Sequence, residues 1–257
     1  MRIRSLLAAG AAALSTLAAA NAAVVHVNDE NGVLGTVDTD TGVATVIGAI
    51  GVVLTDIAFA PDGTLYGISF DSVYVIDANT AAATLIGLHG IPSANALVFG
   101  SDGTLYAAGI DTNGTDLYTV DTGTGAATSL GALGVNSGGD LAFVGADLYL
   151  STGDDRLVQI DLSGPAASDI GGFGVANVFG IASPGDGTLF GVAGTDIFEV
   201  DLGTGMISNL MDFSGQGLGD AFGQSFFSEA APVPLPGAFA LFGSVAVIGA
   251  ARRRFKR

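Results

Sequence analysis

Asp56-Ile57-Ala58-Phe59, Asp62-Gly63-Thr64-Leu65-Tyr66, Val75-Ile76-Asp77-Ala78-Asn79-Thr80 and Ala83-Thr84-Leu85-Ile86-Gly87 follow one another within 32 residues and decide the fold. Apolar residues alternate with small polar ones, the period of a half-buried strand and not of a helix. Asp62-Gly63 suits a tight hairpin turn. Asp77 begins a second turn, in which its carboxylate can accept backbone N–H groups two residues on. The stretch therefore reads as four short antiparallel strands, Thr55–Phe59, Thr64–Ser69, Ser72–Ile76 and Ala83–Ile86.

The same unit recurs outward in both directions. Asp102-Gly103-Thr104-Leu105-Tyr106 and Asp186-Gly187-Thr188-Leu189-Phe190 are near copies of the first turn, and Asp147-Leu148-Tyr149 is a reduced one. The second turn repeats at Asp38, Asp77, Asp121, Asp161 and Asp201, with spacings of 39, 44, 40 and 40 residues. Four strands every forty-odd residues is the period of a β-propeller blade. The first copy lacks an opening strand, while Leu218-Gly219-Asp220-Ala221-Phe222 near the end echoes one. One blade is thus expected to draw strands from both ends. Leu218–Phe222 would be innermost, followed by Val24–Asn28, Val33–Val37 and Ala44–Ile47. The expectation is an all-β, five-bladed propeller of four-stranded antiparallel blades with N/C-terminal closure, plus one C-terminal hydrophobic helix. An open repeat array or a sandwich are the rival architectures. The repeats resemble those of bacterial surface propellers of the WD40-like or YVTN-like kind over Val24 to Phe227. The Trp-Asp mark of WD40 repeats is missing, because the chain has no Trp.

Charge divides the 257 residues into three parts. All 25 Asp and Glu lie between Asp29 and Glu229, with Arg156 the only Lys or Arg among them, so this body carries a formal charge of -24. The other seven cations sit at the two ends. An acidic body argues against nucleic acid as a partner. The absence of Cys excludes disulfides and Cys-ligated metals.

The ends read as addresses. Met1-Arg2-Ile3-Arg4 is a basic start, Ser5 to Ala19 is apolar, and Ala20-Asn21-Ala22 offers the small residues a signal peptidase reads. Residues 1–22 are expected to be a signal peptide cut between Ala22 and Ala23, with an uncleaved anchor as the alternative. Residues 23–231 would be the propeller and 232–257 a C-terminal sorting signal. There Pro232-Val233-Pro234-Leu235-Pro236 precedes an apolar stretch to Ala251 and the tail Arg252-Arg253-Arg254-Phe255-Lys256-Arg257. The nineteen residues from Val233 would just cross a bilayer core of about 30 Å, with the cations left in the cytoplasm.

This tripartite end resembles the PEP-CTERM group in its VPLPA variant, with Gly237 where that variant has Ala. The resemblance covers Val233 to Arg257 alone. It implies that an exosortase-type membrane protease recognises Val233, Pro234, Leu235 and Pro236, with Arg252, Arg253 and Arg254 as the basic anchor. It further implies a Gram-negative, exopolysaccharide-making host and a product held briefly in the inner membrane before reaching the cell surface or extracellular matrix. An ordinary single-span anchor is the alternative.

Catalytic side chains are sparse in the body. His26 and His89 lack obvious partners. No Gly-x-Ser-x-Gly elbow follows a strand and opens a helix, and no phosphate-binding loop occurs. Carboxylates are the abundant reactive groups. The turns joining strands two and three hold Asp29 and Glu30, Asp71, Asp111, Asn113 and Asp116, Asp154 and Asp155, and Asp196, all on one face of a propeller. Hard oxygen donors suit Ca²⁺, and Asp111, Asn113, Asp116, Asp154 and Asp155 are the candidate ligands; no other cofactor is expected, and a solvated acidic surface is the plainer reading. On this basis the protein is expected to be a non-enzymatic structural or binding module, exopolysaccharide or envelope components being its partners. A carboxylate-dependent glycosidase or a lectin-like glycan binder are the alternatives.

Overall fold

The computed structural model describes residues Ala23 to Ala230. The expected signal peptide, proline motif, C-terminal helix and basic tail lie outside the described residues. Within them there is no helix, and twenty strands form five four-stranded antiparallel sheets.

The closing blade joins both ends of the body. It contains β1 (Val24–Asp29), β2 (Val33–Asp38) and β3 (Ala44–Ala49), with β20 (Ala221–Phe226) on its inner side. The second blade is β4 (Asp56–Phe59), β5 (Leu65–Ile68), β6 (Ser72–Ile76) and β7 (Ala83–Leu88). The third is β8 (Ala94–Phe99), β9 (Leu105–Asp111), β10 (Gly114–Val120) and β11 (Ala127–Ala132). The fourth is β12 (Ser137–Val144), β13 (Asp147–Thr152), β14 (Arg156–Asp161) and β15 (Ala166–Gly172). The fifth is β16 (Val178–Ala182), β17 (Leu189–Ala193), β18 (Asp196–Val200) and β19 (Ile207–Asp212). The inner strands β20, β4, β8, β12 and β16 neighbour one another around the ring. The five-bladed propeller read from the repeats is therefore the observed fold.

One register differs from the sequence reading. The innermost strand of the closing blade is Ala221–Phe226 and not Leu218–Phe222. Val25 pairs with Phe226 and Val27 with Gln224. Leu218 is instead buried against Gly35, where an added Cβ would lie 2.8 Å from its Cδ2. The Gly219 amide donates to Asp29 Oδ2 at 2.7 Å. The Leu-Gly-Asp-Ala-Phe echo thus marks the lead-in to the strand, and the strand itself starts where its alternation can meet β1.

Local chemistry explains the turns. Asp38 Oδ1 accepts the amides of Asp40 at 3.1 Å and Thr41 at 2.8 Å, and Asp77, Asp121, Asp161 and Asp201 cap their turns in the same manner. The Thr41, Thr124, Ser163 and Thr204 hydroxyls foremost, with these amides, hold Asp38, Asp121, Asp161 and Asp201 below the usual carboxylate range, and the Asn79 amide does so for Asp77. Turn capping, the plainer reading of the repeated Asp, is what the structure shows. Gly63 takes a φ of +87°, where only glycine is at ease.

The apolar core is divided into five clusters, each filling the wedge between two neighbouring blades. The residue ending each outermost strand or its lead-out points into this wedge: Ile50, His89, Leu133, Phe173 and Phe213 are all buried. His89 occupies an apolar position at no polar cost. Its Nδ1 accepts the Ile91 amide at 2.9 Å, and its Nε2 lies 3.2 Å from the Ser69 carbonyl, to which it donates in that tautomer. Outer strands carry a bulge at an equivalent place in every blade, a device that twists a free edge away from further pairing.

Because blades rest only on their neighbours, the ring depends on its closure. Deleting Val24–Asn28 removes the strand that joins β20 to β2. The deleted chain is expected to lose cooperative urea unfolding and most of its β-sheet circular dichroism signal.

Candidate functional site

Five backbones converge at the axis, and the side chains there decide what the ring can do. Aligning the inner strands places Asp56, Ala96, Asp140, Gly180 and Gly223 at equivalent positions. Two long polar groups and three small residues share the space. Gly223 is small by necessity, since a Cβ there would stand 2.2 Å from Asp56 Oδ1 and 2.7 Å from Asp56 Cα.

Both aspartates are 0% exposed and belong to non-adjacent blades, so they meet across the axis. Each carboxyl also ties its own blade to the next. Asp56 Oδ1 accepts the Ile57 amide at 2.7 Å and Oδ2 the Leu97 amide at 2.6 Å. Asp140 Oδ1 accepts the Leu141 amide at 2.6 Å and Oδ2 the Ile181 amide at 2.8 Å. The two carboxyls meet closely enough to act on each other's ionisation; one proton between them would relieve the repulsion of like charges. Burial pushes both well above the usual carboxylate range, and the neighbouring Asp56 charge pushes Asp140 further.

A third carboxyl enters from one side. After β20 the chain turns at Phe227–Ala230 beneath the ring. Glu229 Oε2 accepts the Ser225 hydroxyl at 2.9 Å and Oε1 the Ser183 amide at 3.3 Å. Burial, then the Asp140 charge, raises Glu229 as well.

The opposite end is open. Thr55, Asn95, Gly139, Phe179 and Phe222, each one residue before the five axial positions, line a mouth of about 210 Å³ together with Phe70. Phe179 and Phe222 meet edge to face, with centroids 6.2 Å apart. Antiparallel alternation puts the turns between second and third strands on this same face, so Asp71 and the other rim carboxylates surround the mouth. Their field favours neutral or cationic ligands over anions.

The rim residues named as Ca²⁺ ligands are spread over two blades. Asp111 accepts the Asn113 amide at 2.6 Å and its side-chain amide at 3.2 Å. Asp116 accepts the Ser129 hydroxyl at 3.1 Å. Asp154 accepts the Thr152 hydroxyl at 2.6 Å, and Asp155 accepts the Asn177 amide at 2.6 Å. Among the described residues no group of three or more His, Asp or Glu is arranged to hold a metal. Arg156 pairs with Asp169 on the exposed edge of the fourth blade, where such a pair contributes little. Sequence reading passed over Asp56, Asp140 and Glu229. Asp56 opens Asp56-Ile57-Ala58-Phe59 in β4 and Asp140 opens Asp140-Leu141-Ala142-Phe143 within β12, and that shared pattern was the available signal.

No family model matches the chain, and no curated protein matches its sequence. Solved structures match its fold. A chain of a nidogen/laminin complex is 15% identical, with a TM-score of 0.54 over 80% of this chain and 81% of that one. A gluconolactonase from Xanthomonas campestris is 15% identical, with a TM-score of 0.50 over 78% and 76%. Another protein assigned as a gluconolactonase is 13% identical, with a TM-score of 0.51 over 77% and 83%. At these identities the likeness is one of fold. It nevertheless corrects the expectation of a non-enzymatic module. Propellers that superpose on this ring include gluconolactonases, so a poverty of His, Lys and Cys is no ground for excluding catalysis. The physical reason is visible at the axis, where the fold concentrates carboxyls that are scattered along the sequence.

Gly223→Ala is expected to lower stability by about 2 kcal/mol, the typical cost of overpacking a filled core. Gly164→Ala, whose Cβ would meet nothing within 4 Å, is expected to be neutral in the same urea titration.

Proposed function

We propose that this chain is an exported propeller of the cell envelope that hydrolyses a small neutral ester or lactone at its axial mouth. The observation that carries this reading is the pairing of Asp56 and Asp140, two buried carboxyls directly beneath the five mouth residues, which we take to share one proton. Paired carboxyls with one proton supply a base and an acid at once. The ionised member takes a proton from water, whose oxygen attacks the carbonyl carbon. The protonated member gives its proton to the departing ring oxygen as the C–O bond breaks, and a hydroxy acid leaves. Gly139 places no side chain over Asp140, and the acidic rim favours release of the anionic product.

Two of the similar folds bear the name gluconolactonase, which accords with this class of reaction.

Export rests on the two ends of the sequence. A cut between Ala22 and Ala23 would leave intact the first bonds the fold uses, from the Thr39 amide at 3.0 Å and hydroxyl at 2.9 Å to the Ala23 carbonyl. The Val233-Pro234-Leu235-Pro236 motif with its basic tail supports sorting by an exosortase-like protease, and the matrix or surface would be the destination.

The intact chain, offered a panel of neutral lactones and aryl esters, is expected to open at least one of them. Asp140→Asn should reduce kcat at least 100-fold with a smaller change in KM. A folded wild-type protein inert toward the whole panel, or an Asp140→Asn variant of unchanged kcat, would overturn the proposal.

A further inference from the structure

The axis holds more acceptors than donors. All four oxygens of Asp56 and Asp140 already accept backbone amides, and both Glu229 oxygens are likewise occupied as acceptors. Asn28 Oδ1 is buried with no donor, while its Nδ2 is fixed on the Leu54 carbonyl at 2.9 Å. It stands close to Asp56, because the point where a Gly223 Cβ would lie is 2.8 Å from Asn28 Oδ1 and 2.2 Å from Asp56 Oδ1. Acceptors facing acceptors in a dry interior need protons or a cation between them.

Among the described residues no cation reaches it. β8, β16 and β20 contain no charged residue. From β1, His26 meets Phe59 edge-on with centroids 4.9 Å apart; burial lowers it to about 4, so it is neutral at ordinary pH. Asp29, the other acid of that strand, turns away to the amides of Asn31, Val33 and Gly219. β4 contributes Asp56 and β12 contributes Asp140, with no other charge on either strand.

We propose that ring closure is latched by protons, so that Phe227–Ala230 stays seated under the axis while the Asp56–Asp140 pair keeps its shared proton and Glu229 keeps its own, and is released as they ionise. This holds whether or not the mouth performs hydrolysis. Glu229 reaches the axis from a segment with no strand of its own, fixed by the Glu229 amide on the Phe226 carbonyl at 3.0 Å and the Ser228 hydroxyl on the Pro184 carbonyl at 2.8 Å. It is therefore the first carboxyl able to leave. The direction of the effect follows from linkage. A carboxyl that binds its proton more tightly in the folded chain stabilises the fold fully below the ordinary carboxylate range. That contribution is lost as pH rises through the folded-state value.

Urea unfolding of the intact chain between pH 5 and 9 tests this. Each axial group that loses a proton on unfolding raises the unfolding constant about tenfold per pH unit while it titrates. The wild type is expected to destabilise with rising pH, and Glu229→Gln to show a slope smaller by one proton. A wild-type stability independent of pH over this range, or a Glu229→Gln slope equal to the wild type, would overturn the latch. If Glu229→Gln does not fold, hydrogen exchange of the wild type decides. The Ser183 and Glu229 amides should lose protection as pH rises, beyond the intrinsic change, while the Leu117 amide in β10 keeps its own. Uniform loss, or abolition of the pH dependence by millimolar Ca²⁺, would also overturn it, the latter by showing a cation in place of the protons.

Discussion

Five inner strands must approach a common axis, and that approach leaves little room for whatever their side chains carry. In this ring the scarce space is given to two aspartates, with Ala96, Gly180 and Gly223 making way. The carboxyls do the work of neighbouring backbone partners. Asp56 reaches the Leu97 amide of the next blade and Asp140 the Ile181 amide of the next, so the second and third blades and the fourth and fifth are each joined at the axis. The closing blade uses Asn28 on Leu54 and Gln224 on Phe190 for the same purpose. A carboxylate that accepts two amides is stabilised by them, yet burial opposes its charge more strongly and raises its hold on a proton.

That balance links architecture to chemistry. Paired carboxyls beneath an open, apolar mouth are a structural tie, and under the proposed function they also serve as the acid–base pair. The opposite face is closed by the segment that leads from β20 toward the Pro-rich motif, with Glu229 at its tip. One end of the axis is thus available to a ligand and the other is occupied by the chain itself. The repeated turn aspartates Asp38, Asp77, Asp121, Asp161 and Asp201 have a different task, because their turns favour the charged form at the surface of a protein whose mean hydropathy is +0.57.

Much of the ring was legible because its turns are chemically explicit. Asp62-Gly63 and the Asp38, Asp77, Asp121, Asp161 and Asp201 turns fix where strands end, and their spacing fixes the number of blades. The register of β20 was not legible, since Leu218 and Phe222 look alike in a hydrophobic pattern and only the fit of Leu218 over Gly35 separates them. The axial site was hidden for a related reason. Asp56, Asp140 and Glu229 are separated by 84 and 89 residues, and no local spacing relates them. They become neighbours only when the ring closes. His89 illustrates the reverse: a polar residue that looked incidental fills a core wedge as a neutral ring with both nitrogens engaged.

The account rests on a proton held between Asp56 and Asp140 in a folded ring near neutral pH. Carbon-13 NMR of the side-chain carboxyls, in protein labelled at aspartate, observes that proton directly through the chemical shift of each carboxyl carbon. The prediction is that at pH 7 the axial pair still carries a proton, with its titration displaced above that of the turn aspartates. Two fully ionised carboxyls, titrating alongside Asp38 and Asp121, would contradict it.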